Sequence, residues 1–223
     1  MSRVRAATLS GLLAILLWSS LALLTTATAG LPPFEVLALG FGFAALSGLL
    51  HTLLRGNWRE LRQPMSALAL TTTALFGYHA LYFIALKRAP AVEANLLNYL
   101  WPLLIVLFAG LLPGVRVGGM QVAGALLGLA AAVTLVTRGG GFDIQPRYLP
   151  GYLAALGAAV IWAAYSVLNR RHAQVPSSAI IVACAGVAVL GVLAHAAFEQ
   201  TVAPTLMQWA VLALMGIGPV GAA

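Results

Sequence analysis

Residues 5–35 read RAATLSGLLAILLWSSLALLTTATAGLPPFE, and no charged side chain lies between Arg5 and Glu35. A helix needs about 20 residues to cross about 30 Å of hydrocarbon, so this stretch is long enough for one crossing. Backbone polar groups in lipid must be satisfied within the segment, which makes such a run a helix. Further charge-free intervals run from Glu35 to Arg55, Arg62 to Lys87, Glu93 to Arg116, Arg116 to Arg138, Arg147 to Arg170, Arg171 to Glu199, and Glu199 onward. Eight segments are predicted, at about 7–28, 34–54, 65–86, 92–112, 118–137, 149–169, 178–198 and 208–223.

Composition agrees. Only 8% of the 223 residues are charged and 61% are hydrophobic, whereas a soluble domain carries about a quarter charged residues. An outer-membrane barrel would need alternating strands of about ten residues, and nothing here alternates that way. The net charge of +7 does not indicate nucleic acid, because the basic residues are spread over short loops. They read as topology signals. With the N-terminus inside, Arg3, Arg5, Arg55, Arg59, Arg62, Arg116, Arg170 and Arg171 face the cytoplasm, and Lys87, Arg88, Arg138 and Arg147 face out. That distribution favours a cytoplasmic N-terminus in a bacterial inner membrane.

The start of the chain also fits a signal peptide, with basic residues before the apolar run and Ala27-Thr28-Ala29 as a cleavage site. The run exceeds a usual signal core and has a counterpart later in the chain, so a retained span is expected. The single Cys184 lies in an apolar span and reads as a buried thiol.

An offset of about 144 residues aligns the chain with itself. Trp18 falls on Trp162, Pro32 on Pro176, Gly42 on Gly186, His51 on His195 and Gly77 on Gly221. Five spans fit one unit, and an odd number inverts the second unit in the membrane. Residues 1–140 form the first repeat and residues 145–223 the second, holding three helices. The fold expected is an all-α membrane protein of five plus five inverted helices, about eight of them in this chain and two beyond Ala223. Inverted repeats suit alternating-access carriers that bind substrate near the midplane.

Polar and aromatic residues at mid-membrane mark the candidate site. The third segment contributes Tyr78, His79 and Tyr82; the fourth carries Asn95, Asn98, Tyr99 and Pro102 at i, i+3, i+4, i+7. The sixth repeats that spacing with Trp162, Tyr165, Ser166 and Asn169, and the first offers Trp18, Ser19 and Ser20. Pro102 cannot donate to the Asn98 carbonyl, so a kink is expected there. The freed carbonyl accepts either a substrate ammonium or a neighbouring hydroxyl. Trp58 and Trp209 sit at segment ends and suit an interfacial belt. Trp18, Trp101 and Trp162 lie deeper, in helix packing or in a ring-lined cavity for aromatic or cationic groups. His79 is the one ionisable residue well inside a segment. It is a proton carrier or a hydrogen-bonded structural group, and His51 and His195 read as interfacial.

Gly124 and Gly128 form a GxxxG pair expected to pack closely against a helix. Gly139-Gly140-Gly141 reads as a flexible connection between repeats, and no metal-ligand cluster, cofactor motif or nucleophile elbow is present.

The stretch Tyr78–Pro102, YHALYFIALKRAPAVEANLLNYLWP, with LLWSS at Leu16–Ser20, resembles EamA-type carriers of the drug/metabolite transporter superfamily. The element NYLWP at Asn98–Pro102 is the most specific part. Among these carriers the chain is similar to the branch that exports aromatic amino acids. The resemblance implies ten helices, cytoplasmic termini and a central cavity lined by Tyr78, His79, Tyr82, Asn98, Tyr99, Trp101 and Trp162. Trp18 and Ser19 join that set, with Pro32, Pro102 and Pro176 as kinks or hinges. The expected partners are amino acids and the bilayer, without cofactor, metal or nucleic acid. A carrier for nucleotide sugars, drugs or another metabolite, a channel, and a non-transporting scaffold remain as rivals.

Overall fold

A computed structural model describes residues 3–137 and 145–221. The described residues are helical, in the order α1 (Arg3–Ala27), α2 (Pro33–Arg55), α3 (Met65–Arg88), α4 (Ala91–Asn98), α5 (Trp101–Ala109), α6 (Gly119–Thr137), α7 (Leu149–Leu168), α8 (Ile180–Phe198) and α9 (Leu206–Met215). Among the described residues, six helical stretches are long and apolar enough to cross a membrane, α4 and α5 counting together as Ala91–Ala109. Gly119–Ala131 and Leu206–Val220 are shorter apolar helices. This is an all-α multi-pass membrane protein, with helices close to the charge-free intervals of the sequence. The loop Gly139–Gly141 lies outside the described residues.

Two compact units emerge, one of residues 1–72 with 175–223 and one of residues 73–174. Both cut across the sequence repeat.

In the first unit α2 lies chiefly along α8. The approach is close: a methyl added at Gly48 would sit 2.6 Å from Cγ1 of Ile181, and one at Gly191 would sit 2.7 Å from Cδ2 of Leu37. Glycine allows backbones to meet at this range, which is how helices associate in lipid. These contacts are reciprocal. The offset of about 144 residues carries Ile181 to Leu37 and Gly48 to the neighbour of Gly191. A second pair behaves likewise. Gly186 of α8 faces Cγ2 of Thr72 in α3 at 2.8 Å, and Gly216, after α9, faces the carbonyl of Gly40 and Cβ of Phe43 in α2. The helix from α9 continues as a π-helical turn, Gly216–Val220, that contains Pro219.

The entry of α2 is built by residues far along the chain. Pro33 occupies its first turn, where a missing N–H costs nothing. The amides of Phe34 and Glu35 donate to Oε1 and Oε2 of Glu199 at 3.0 and 3.1 Å. Helix N-termini attract carboxylates because their first amides lack intrahelical acceptors. In return the buried carboxylate of Glu35 accepts from the amide of Val202 at 3.1 Å. His195 pairs with Glu199 at 2.8 Å and reaches Oγ1 of Thr201 at 2.9 Å. At its other end α2 stops on Gly56 in the left-handed region, φ 71°. Helix α9 opens with a capping box formed by Thr205 and Gln208, and the Gln208 side chain also donates to the carbonyl of Ala29 at 3.0 Å. Cys184 is buried in α8.

In the second unit α4 and α5 pack on α7, and α6 packs on α5. Segments of α3 and α7 also meet closely, since methyls at Gly77 and Gly157 would lie 3.1 and 2.9 Å from Ile161 and Leu81. The GxxxG expectation meets a different outcome. A methyl at Gly124 or Gly128 would touch nothing within 4 Å among the described residues. The spacing of the two glycines on one face says only that a partner would be admitted.

Candidate functional site

The fourth segment decides the site. Helix α4 ends at Asn98 and α5 begins at Trp101, so the expected kink is a break of two residues, Tyr99 and Leu100. Tyr99 has φ −63° and ψ 0°, and the Leu100 amide bonds three residues back to Leu97 at 3.2 Å. The physical reason is Pro102, whose ring would press on the carbonyl of Asn98 in a continuous helix. Tightening the chain ahead of the proline relieves that clash.

Asn95 and Asn98 face the rings of α3. Tyr82 donates to Oδ1 of Asn95 at 2.6 Å, and the Asn95 amide is held by the Ala91 carbonyl at 2.8 Å. Nδ2 of Asn98 donates to the Tyr78 hydroxyl at 3.1 Å. Tyr78 and Tyr82, one turn apart, stack with centroids 5.7 Å apart and planes 9° from parallel. From α7, Trp162 leans on Tyr78 at 4.9 Å and on Tyr165 at 5.6 Å. The result is a continuous patch of π faces bordered by two amides.

His79 is buried beside this patch. Its Nδ1 lies 2.9 Å from the Leu75 carbonyl, and its ring meets Tyr78 and Phe83 edge-on at 4.8 and 5.8 Å. With Nδ1 bearing the hydrogen, this contact fixes the tautomer and leaves Nε2 as the acceptor. At the entry of α4, Glu93 accepts from the hydroxyl of Tyr152, a residue of α7. That bond ties the two helices on which the patch is built.

The residues expected from the sequence divide accordingly. Tyr78, His79, Tyr82, Asn98 and Trp162 come together. Tyr99 lies in the break and is exposed, and Trp101 follows it and is half-buried. Trp18 and Ser19 belong to the first unit; Trp18 is exposed, and the Ser19 hydroxyl bonds to the carbonyl of Leu16 in its own helix at 2.7 Å. Ser166 likewise turns back to the Trp162 carbonyl at 2.7 Å. Pro32 is the N-cap of α2, and the Pro176 carbonyl accepts from Ala179 at 3.0 Å in a short turn before α8. Asn95 was visible on the polar stripe of the fourth segment, but its role as the acceptor for Tyr82 was not among the expected site residues. Tyr152 and its bond to Glu93 gave no sign in the sequence.

The model of the EamA-like transporter family matches residues 5–137. The chain belongs to the EamA-like transporter family. Among proteins of this type, the chain is 50% identical over 219 residues to the aromatic amino acid exporter YddG of Ancylobacter novellus, covering 97% of this chain and 76% of the exporter. It is 32% identical over 180 residues to the exporter of the same name in Escherichia coli K12, covering 75% of this chain and 60% of that protein. A crystal structure at 50% identity matches this EamA-like chain with a TM-score of 0.82, over 97% of this chain and 76% of the other.

Proposed function

We propose that this EamA-like transporter exports amino acids, aromatic ones included, across the bacterial inner membrane as a secondary carrier. The observation that carries this reading is the π patch of Tyr78, Tyr82 and Trp162 bordered by the amides of Asn95 and Asn98. Stacking on it suits a planar apolar side chain, and the amides suit the polar end of an amino acid. Similarity to proteins named aromatic amino acid exporters supplies the same substrate class. His79, Tyr99 and Trp101 complete the proposed site in the second unit.

Alternating access is the proposed mechanism. Its support is the sequence repeat of residues 1–140 and 145–223, together with the reciprocal contacts of α2 with α8 and of Gly186 and Gly216. Equivalent helices meeting in exchanged registers are what a pseudo-two-fold axis produces, and such axes relate inverted repeats in carriers. The distribution of basic residues supports a cytoplasmic N-terminus. Pro32, Pro102 and Pro176, with Gly218-Pro219 in the π-helical turn, are the proposed points of bending. Transport needs no coupling ion where the cytoplasmic amino acid is the more concentrated.

Uptake of labelled phenylalanine or tryptophan into liposomes holding the purified protein tests the reading. Saturable uptake, accelerated by a trapped pool of unlabelled amino acid, is expected. Uptake without acceleration would identify a channel, and no uptake by folded protein would reassign the substrate.

A further inference from the structure

Two buried side-chain polar atoms among the described residues have no hydrogen-bond partner, Oδ1 of Asn98 and Oγ of Ser178. The Ser178 hydroxyl lies in a short turn between α7 and α8. The Asn98 oxygen lies at the end of α4, inside the ring patch, on a residue 5% exposed. In the hydrocarbon zone water is not at hand to fill such a position, and polar groups there find internal partners or bind something.

The chemistry of the missing partner can be read from what Asn98 has left to offer. Its Nδ2 is engaged by the Tyr78 hydroxyl at 3.1 Å, so the side chain presents an acceptor. Its main-chain carbonyl is a second acceptor, because the residue four positions on is Pro102, which has no N–H to give. Both acceptors belong to one residue at the helix break. The Asn98 side chain is joined through the Tyr78 hydroxyl to the cluster of Tyr78, Tyr82 and Trp162 rings, and aromatic rings attract cations through their quadrupoles. A carboxylate would meet two oxygens of like polarity. A primary ammonium brings three donors and a positive charge.

We propose that Asn98 is the ammonium-recognising residue of the substrate site, with Oδ1 and the main-chain carbonyl accepting from the α-ammonium of the transported amino acid. Tyr78 is its positioning residue, holding the amide so that the oxygen faces the ligand. The inference rests on the transport reading above and adds which end of the amino acid each group serves. The aromatic side chain and the ammonium then share the second unit's ring patch, and the carboxylate is turned away from Asn98.

The test is competition against labelled tryptophan uptake in proteoliposomes by three indoles: tryptophan, tryptamine without the carboxylate, and indole-3-propionate without the ammonium. In the wild type, tryptophan and tryptamine are expected to compete. Asn98→Leu should weaken both amines by about tenfold or more, the value of a lost hydrogen bond to a charged group, with indole-3-propionate unchanged. Asn98→Asp, which keeps the acceptor, should retain tryptamine competition, and it carries the comparison if the leucine variant does not fold. Tyr78→Phe should weaken the amines selectively and by less. Equal loss for all three indoles would make Asn98 a structural residue and overturn the proposal. Selective loss of indole-3-propionate would show the amide turned the other way, holding the carboxylate, and would also overturn it. A wild type that takes up no tryptophan would remove the transport reading itself, and with it this assignment.

Discussion

In the first unit α2, α8 and the turn after α9 meet through Gly48, Gly191 and Gly216, with backbone set against Ile181, Leu37 or the backbone of α2. In the second unit α3 and α7 also touch through Gly77 and Gly157, but part of the packing of α3, α4 and α7 is given to Tyr78, Tyr82, Trp162 and two asparagines. Lipid tails are as apolar as leucine, so helices in a membrane gain by close packing and satisfied polar contacts. The first unit uses both for cohesion, joining glycine contacts to the capping of α2 by Glu199 and the bond from the Val202 amide to Glu35. The second leaves an amide oxygen without a protein partner in the middle of its packing. The first unit also leaves one buried atom unpartnered, the Ser178 hydroxyl, but in a short turn before α8; an unpartnered amide oxygen beside rings has the makings of a site.

Substitutions should separate the two. Gly216→Leu is expected to have the largest effect, because its first added carbon collides with the Gly40 carbonyl and lies 2.6 Å from Cβ of Phe43. Overpacking of this kind costs about 3 kcal/mol, and the variant should lose its monodisperse peak in detergent. Gly124→Leu, on the open face of α6, should keep it; equal behaviour of the two variants would dissolve the contrast. Next comes Trp162→Leu, expected to reduce transport about tenfold while the thermal midpoint moves by only a few degrees, since the ring contacts it removes are worth about 1 kcal/mol each. A large loss of stability with unchanged KM in the surviving protein would place Trp162 with the scaffold.

Glu199→Gln should act the opposite way. It keeps the shape but weakens the cap on Phe34 and Glu35 and the pair with His195, at a cost of about 1–2 kcal/mol. Thermal unfolding in detergent should show the loss, with KM for the amino acid unaltered. The smallest effect is expected for Gln208→Ala, which removes one half of the capping box and the bond to Ala29, about 0.5–1 kcal/mol by the same measurement. A drop in transport without a drop in stability for either residue would show that the first unit is more than a support.

Sequence reading went furthest where the physics is local. The long helices follow from where charges are absent, because one charged side chain at mid-bilayer is expensive enough to mark a boundary. Their ends fall within a few residues of the charge-free intervals. Pro102 announced a disturbance, although its form, a two-residue tightening at Tyr99 and Leu100, depends on how the chain relieves the clash. The i, i+4 stacking of Tyr78 on Tyr82 was readable from spacing alone. Partners distant in sequence were not. Nothing around Glu199 indicates that it closes the first turn of α2, nor anything around Tyr152 that it meets Glu93. Glu35 and Glu199 mark bounds of charge-free intervals in the sequence; in the structure Glu199 caps α2 and Glu35 accepts from the Val202 amide. Trp18 and Trp162, which the repeat matches to one another, fall in different compact units.

The cap that Glu199 places on α2 also sets a schedule for synthesis. Phe34 and the glutamate that receives its amide are 165 residues apart, and a ribosome adding about 5–20 residues per second takes on the order of 10–30 s to cover that distance. Through this interval α2 is already in the bilayer with its opening amides turned to headgroups or water, and α8, along which it will lie, does not yet exist. The first helices made in this unit therefore wait for some of the last, and the unit closes from its late end, when Glu199 arrives to finish a turn begun near the start of the chain.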